Sequence, residues 1–326
     1  MIRQPITFHV AGSVLRDRWR LGQFYGPLSE GLRARGADVR LVVHERASVA
    51  AQVALDDGFH VIDHGQMRHP RVLNSGIAYI QPFRNMDPWG IRAFSSIADK
   101  HFDPARIPVE AAASFAARLR DRLIGGRSSR YAQPEEVVPV PAGSIAVFLQ
   151  TESHRLVGET CYLSMRRMVK ALMARDDPRA ICIKPHPRDA DTDTFEWLHE
   201  QAEADPRVQI VAANIHDILA ACDVVVTINS AVGIEAMLHG KPVVLCGHAD
   251  FHHAAVTVKT ADAMDEGVAR SLATPWAHEA YLYWYFVRHC LSPLRKTLVQ
   301  DFLGKVSGAG YNVARFGLES GAGASG

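Results

Sequence analysis

Short apolar runs rich in β-branched residues alternate along this chain with stretches of helical spacing, and that alternation leaves few folds open. In the first half the runs cover 6–10, 39–43, 59–62 and 77–80. Between the first two, residues 24–35 have helical spacing and stop at Gly36. A strand, a helix and a strand in that order predict a right-handed parallel unit. A second series covers 145–149, 180–183, 208–211, 224–228, 243–245 and 256–258. Helices are expected over 111–124, 159–174, 194–204, 215–221 and 232–239, with one or two aromatic-rich helices in 276–303. The expected class is α/β with parallel sheets.

A chain of 326 residues exceeds one small core. The break falls in 125–143, where Gly-Gly-Arg-Ser-Ser-Arg leads into Gln-Pro-Glu-Glu and Val-Pro-Val-Pro-Ala-Gly, a linker composition. Four regions are therefore expected. Residues 1–143 form a first Rossmann-like domain ending in the linker, and 144–275 form a second. Residues 276–318 form helices that pack back on the domains, and 319–326, nearly all Gly, Ala and Ser, form a disordered tail. In such sheets ligands bind beyond the carboxyl ends of the strands, so a cleft between the two domains is the expected site.

Net charge is +1, with 22% charged residues, which gives no support for a nucleic-acid partner. The five cysteines, Cys161, Cys182, Cys222, Cys246 and Cys290, form no CxxC pair and read as buried free thiols of a reducing compartment. The amino-terminal residues lack the apolar core of a signal peptide, and no apolar run reaches the roughly 18–20 residues of a membrane span. A cytoplasmic location follows as the expectation, with peripheral contact at the inner face of a membrane still open.

Three constellations sit at expected strand ends. After 180–183 comes Lys184-Pro185-His186-Pro187. The prolines end the strand, and Lys184 and His186 share one alternation face. An ammonium and an imidazole on one side suit a phosphate, and His186 could protonate a departing oxygen. After 224–228 comes Asn229-Ser230-Ala231-Val232-Gly233-Ile234-Glu235, a small-residue turn into a helix. Gly233 and its small neighbours let a ligand approach, Ser230 reads as the N-cap, and Glu235 either favours the helix start or grips ribose hydroxyls. After 145–149 comes Gln150-Thr151-Glu152, whose first and third side chains project the same way. A carboxylate there can be base, nucleophile or electrostatic stabiliser, or simply cap the next helix.

Taken together, Gln-x-Glu, Lys-x-His-Pro, Thr-Ile-Asn-Ser-x-x-Gly-x-Glu-Ala and Gly240-Lys241-Pro242-Val243 resemble the bacterial capsule polysaccharide biosynthesis family. That family includes transferases of 3-deoxy-manno-octulosonic acid (Kdo). Asp87-Pro88-Trp89-Gly90-Ile91 with Ser95-Ser96 is similar to the family's acidic–glycine–serine segment, and Tyr281-Leu282-Tyr283-Trp284-Tyr285-Phe286 to its aromatic helix. The resemblance implies a GT-B fold, a CMP-activated sugar donor, a glycan or glycolipid acceptor, and no metal or other cofactor. It assigns Gln150 and Glu152 to the active site, Lys184 and His186 to phosphate, and Asn229, Ser230 and Glu235 to the nucleotide. Retention of configuration, which the resemblance also implies, needs a carboxylate nucleophile. Glu152 and Asp87 are the candidates.

Two other readings share these motifs. Polymerases that transfer glycerol phosphate from CDP-glycerol resemble the chain in Lys-Pro-His-Pro, although their Asp-Tyr-Ser-Ser run is missing here. A non-catalytic glycan-binding or export-associated protein on the same scaffold is the other. The cluster His248-Ala249-Asp250-Phe251-His252-His253 lacks zinc spacing and reads as a cleft-edge loop near the sugar. His69-Pro70-Arg71 reads as plain loop. Arg16, Arg18 and Arg20 read either as a surface helix or as a grip on an acidic donor or acceptor.

Overall fold

The computed structural model describes residues 3–150, 160–187 and 191–319. Two compact units divide the chain: one runs to Asp99 and resumes at Phe286, and the other is Lys100–Tyr285.

The first unit holds a five-stranded sheet in the order β2-β1-β3-β4-β5. Its strands are β1 (Ile6–Val10), β2 (Val39–Val43), β3 (Phe59–Asp63), β4 (Val72–Ile77) and β5 (Arg84–Asp87). The first four run parallel and β5 antiparallel to β4. The helix expected after β1 is Tyr25–Arg33 and buries Tyr25, Leu28 and Leu32. β4 escapes the apolar pattern because Asn74 and Ser75 lie fully buried within it. The Asn74 side chain exchanges bonds with the N–H and C=O of Met67, so its polarity is satisfied inside the core. The run at 77–80 is not a strand: it leaves β4 and turns, with Tyr79 in the left-handed region at φ 62°.

In the second unit all six strands run parallel, in the order β11-β10-β9-β6-β7-β8. They are β6 (Ile145–Phe148), β7 (Ile181–Lys184), β8 (Val208–Ile210), β9 (Val224–Thr227), β10 (Val243–Leu245) and β11 (Val256–Thr257). β6 starts the series, β7 and β8 extend one way, and β9 to β11 extend the other. That is the doubly wound Rossmann order, and its switch point lies between β6 and β9. Burial on both faces explains the near-continuous apolar runs. The helices include Met165–Met173, Thr192–Ala204, Ile215–Ala221, Val232–Leu238 and Met264–Ala273; the last was not legible in the sequence.

The domain boundaries differ from expectation at both ends. Residues 100–143 belong with the second unit, not the first. Phe102 packs edge-on to Tyr281, and Phe115 of helix Val109–Arg120 meets Tyr283. Arg120 donates to the Leu238 carbonyl and pairs with Glu279 at 2.6 Å. The carboxyl-terminal helices are not one body either, since the division falls inside the π-helical turn Trp284–His289. Beyond it, Leu291 and Arg84 exchange backbone bonds, and helix Leu298–Gly308 closes the first core with Leu298, Val299, Phe302 and Val306. Phe302 is fully buried beside Phe8. All five cysteines are free, and all but Cys161 are buried. Among the described residues no helix is long and apolar enough to cross a membrane.

Candidate functional site

Strand register builds the site. Phe148, Lys184 and Thr227 form one row across β7, β6 and β9. Gln150, His186 and Asn229 each follow that row by two residues, so all three lie just beyond the carboxyl ends of neighbouring strands. The outer strands of the row stand about 10 Å apart, twice the inter-strand spacing. Every sequence-assigned residue from Gln150 to Glu235 that is described lies in this one unit. Thr151 and Glu152 fall outside the described residues.

At the switch point, Gln150 and Asn229 clasp each other. Gln150 Nε2 donates to Asn229 Oδ1 at 3.0 Å, and the Asn229 backbone N–H donates to Gln150 Oε1 at 2.9 Å. Asn229 Nδ2 also donates to Thr160 Oγ1 and to the His248 carbonyl. Both amide ends of Asn229 are thus committed within the protein. The pair ties the ends of β6 and β9 to the loop after β10. Thr227 Oγ1 adds a bond to the Phe148 carbonyl at 2.8 Å.

Lys184 ends β7 half-buried, and its Nζ donates to the Ala213 carbonyl at 2.7 Å. Burial lowers its pKa below the ordinary lysine value. An ammonium has three N–H donors, so this bond leaves capacity for an anion. The His186 ring meets Tyr131 edge-on at 5.2 Å.

The turn after β9 departs from expectation in two details. The residue preceding helix Val232–Leu238 in the cap position is Ala231, not Ser230, although Ser230 Oγ still accepts from the Val232 N–H. Gly233 is buried under Phe251: a Cβ there would stand 2.8 Å from the ring. The absent side chain at Gly233 is therefore what leaves room for the Phe251 ring.

Glu235 is 6% exposed, and its Oε1 accepts from Ser129 Oγ at 2.7 Å. Desolvation raises its pKa to about 7, against the smaller opposing effect of the Ser129 bond. Ser129 comes from 125–143, which is no free linker at its start. Arg127 holds Asp217 through two bonds, at 2.6 and 3.0 Å, and His216 Nε2 meets the Ser128 carbonyl. Gln133 Oε1 accepts from the Ile215 N–H, and Asn214 donates to the Pro134 carbonyl. A carbonyl only accepts, so His216 carries its proton on Nε2, and its Nδ1 accepts from His239 at 3.0 Å. Burial lowers both imidazoles, His239 to about 4, so the pair is neutral near pH 7. Nothing in the local sequence marks these contacts, because they join residues far apart in the chain.

Asp87 lies in the other unit, 3% exposed. Its Oδ1 accepts from the N–H groups of Trp89, Gly90 and Ser96, and its Oδ2 accepts from Ser96 Oγ at 2.6 Å. It organises its own loop, which accounts for the acidic–glycine–serine spacing. In the histidine cluster, Asp250 is fully buried and accepts from Tyr285 OH at 2.7 Å. His252 and His253 stack, and His253 Nε2 donates to the Lys100 carbonyl. The aromatic helix thus anchors the loop that carries Phe251. Arg16, Arg18 and Arg20 are exposed around Asp17, which caps the short helix Arg18–Gly22. His69 accepts from the Arg71 N–H within a loop, as read from the sequence.

The family model for capsule polysaccharide biosynthesis proteins matches residues 139–287, a little under half of the chain. The stretch includes every strand of the second sheet and the aromatic helix. No curated protein sequence matches. Among solved structures, the Thermosulfurimonas dismutans KpsC beta Kdo 2,7 transferase is similar at 14% identity and TM-score 0.57, over 93% of this chain and 99% of that one. The beta Kdo 2,4 transferase of the same organism's KpsC is 14% identical at TM-score 0.48, over 86% and 90%. Anabaena Alr3699/HepE in complex with UDP-glucose is 14% identical at TM-score 0.41, over 93% and 99%. The first likeness establishes the fold alone: α/β, with Rossmann-like units of the GT-B type.

Proposed function

We propose that this chain is a glycosyltransferase of capsule or surface polysaccharide biosynthesis whose donor is a CMP-activated ulosonic acid of the Kdo type. The observation that carries this reading is the meeting of Gln150 and Asn229 at the switch point, with Lys184 and His186 at the end of the neighbouring strand β7. Doubly wound sheets bind their ligands there. The donor phosphate would lie against Lys184, His186 and Ser230. Lys184 and His186 stabilise negative charge as CMP departs, and His186 can give a proton or a hydrogen bond to the leaving oxygen. The Gln150–Asn229 clasp holds the floor rigid beneath them. Glu235 takes ribose hydroxyls once Ser129 releases it.

Retention calls for a carboxylate nucleophile. Glu152 follows Gln150 by two residues in sequence and is one candidate. Asp87 is the other; attack by its Oδ2 would have to release the Ser96 hydroxyl. The family match at 139–287 and the fold likeness to a Kdo transferase support the transferase class. A polysaccharide acceptor and work at the inner membrane face belong to the same proposal.

The test is nucleotide binding by calorimetry and thermal shift with CMP, CDP, UMP, UDP and GDP. A clear preference for CMP is expected, and a preference for UDP would sink the donor assignment. Product analysis with CMP-Kdo, in buffer with and without EDTA, then separates sugar transfer from glycerophosphate transfer. Turnover is expected to survive chelation.

A further inference from the structure

Residues 127–134 cross the candidate donor site as a pinned strap. One end is held by the paired Arg127–Asp217 bonds, and the other by Gln133 and Pro134 on the start of helix Ile215–Ala221. Between these anchors Ser129 reaches Glu235 and Tyr131 reaches His186. The strap thus touches one residue from each of two of the three strand-end constellations. Arg127 itself sits in the left-handed region at φ 46°, a conformation that costs a non-glycine residue about 1 kcal/mol and persists only where surrounding bonds over-determine it.

The chemistry of the Ser129 contact is specific. A hydroxyl donates 2.7 Å to a carboxyl oxygen that is otherwise sealed from solvent. A ribose hydroxyl would make the same bond, with the same donor and the same acceptor. With Glu235 only 6% exposed, the two hydroxyls cannot be served in this arrangement without the strap yielding. Burial raises the Glu235 pKa to about 7, so while Ser129 covers it the carboxyl holds its proton to a far higher pH than an exposed glutamate would.

We infer that Ser129 is a built-in stand-in for a ribose hydroxyl, and that the donor nucleotide enters by exchanging its sugar hydroxyl for Ser129 on Glu235 while the strap 127–134 shifts. This rests on the reading of Glu235 as the ribose-side carboxylate. Ser129 is a positioning residue: it competes with the nucleoside and so sets how strongly a ribonucleotide is favoured over one lacking the sugar hydroxyls. The phosphate end beside Tyr131 and His186 takes no part in the exchange, so a nucleotide without the sugar hydroxyls binds while Ser129 stays on Glu235.

The sign of one substitution decides the matter. In Ser129→Ala the covered state loses its bond, so CMP should bind more tightly, by about fivefold for one hydrogen bond of ordinary net strength. The monophosphate of 2′,3′-dideoxycytidine has no hydroxyl to offer Glu235, so its affinity should not change. Ser129→Gly removes the same hydroxyl and should likewise tighten CMP but not the dideoxy monophosphate, and it serves if the first variant folds poorly. Unchanged or weaker CMP binding in Ser129→Ala would overturn the proposal, because a hydroxyl that merely held Glu235 in place would be missed. Equal tightening of both nucleotides would also overturn it, since general loosening of the strap does not distinguish them. Failure of every nucleotide to bind the wild-type protein would remove the donor-site reading itself, and the wild-type titration alone reveals that case.

Discussion

Replacing Glu235 with glutamine should reverse a pH dependence built into the second unit. The carboxyl is 6% exposed and accepts one bond, from Ser129. Its pKa rises from 4.5 to about 7, chiefly through desolvation. A raised acid binds its proton more tightly folded than unfolded. Its stabilising contribution is therefore complete below about pH 4.5 and drains away as pH climbs through about 7. At about 1.4 kcal/mol for each tenfold change in proton affinity, holding the charge in place costs about 3 kcal/mol at alkaline pH. Glutamine keeps the shape and the acceptor for Ser129 but never ionises. Glu235→Gln should thus match the wild type near about pH 5 and exceed it by up to about 3 kcal/mol near about pH 8. For a unit of this size that corresponds to roughly 6–12 °C in the melting temperature. Thermal and urea unfolding of both proteins across this range measures the difference, in which the titration of all other groups cancels. A gap that stays constant with pH would refute the reasoning, as would a glutamine variant weaker than wild type on the alkaline side. Nucleotide binding adds a second sign: an ionised Glu235 is the better acceptor for ribose, so the wild type should gain CMP affinity relative to the variant as pH rises, the ionisation of the phosphate itself being common to both.

Four further outcomes are expected. Gly233→Ala puts a methyl 2.8 Å from the Phe251 ring and should cost about 1–3 kcal/mol in chemical denaturation, with Phe251→Leu in the same chain restoring part of it. Asn229→Ala removes bonds to Gln150, Thr160 and the His248 carbonyl together, so a loss of about 2 kcal/mol in stability should accompany weaker CMP binding; a variant that loses only binding would show that Asn229 contacts the ligand directly. Lys184→Met should leave the melting temperature within a few degrees of wild type yet weaken CMP at least about tenfold, since one charge-assisted phosphate contact is lost. Phe302→Ala, emptying a fully buried site in the first core, should lower stability by about 3–5 kcal/mol without altering CMP affinity, as read by calorimetry on the folded variant.

Much of the candidate site was legible because each signature is local. A lysine at the end of an apolar run, two prolines that stop it, and an Asn-Ser turn that follows another run all announce strand ends within a few residues. Register then sets them beyond the ends of neighbouring strands, which alternation alone could only suggest. What each side chain does there was much less visible. Gln150 and Asn229 look like ligand groups in sequence, yet they spend their polar atoms on each other and on neighbouring loops. Asp87 looks like a free carboxylate, yet four donors within its own loop occupy it. Gly233 looks like a ligand-approach glycine, yet it faces Phe251.

By itself the sequence determined the parallel α/β class, the strands of the second sheet to within a residue or two, and the strand-end positions of Lys184, His186 and Asn229. These depend on periodicity and on turn chemistry, both of which act over a few residues. Only the tertiary structure decided where the units divide and what covers Glu235. The Pro-rich segment 125–143 has the composition of a linker, but its start is tied down by Asp217, Asn214, Ile215 and Glu235. The final helix lies far along the chain from β1, yet Phe302 completes the core around Phe8. Such pairings follow from which surfaces can bury one another and which buried groups must find partners. Ser129 meets Glu235 across more than a hundred residues of chain, and neither residue's neighbours carry a trace of the other.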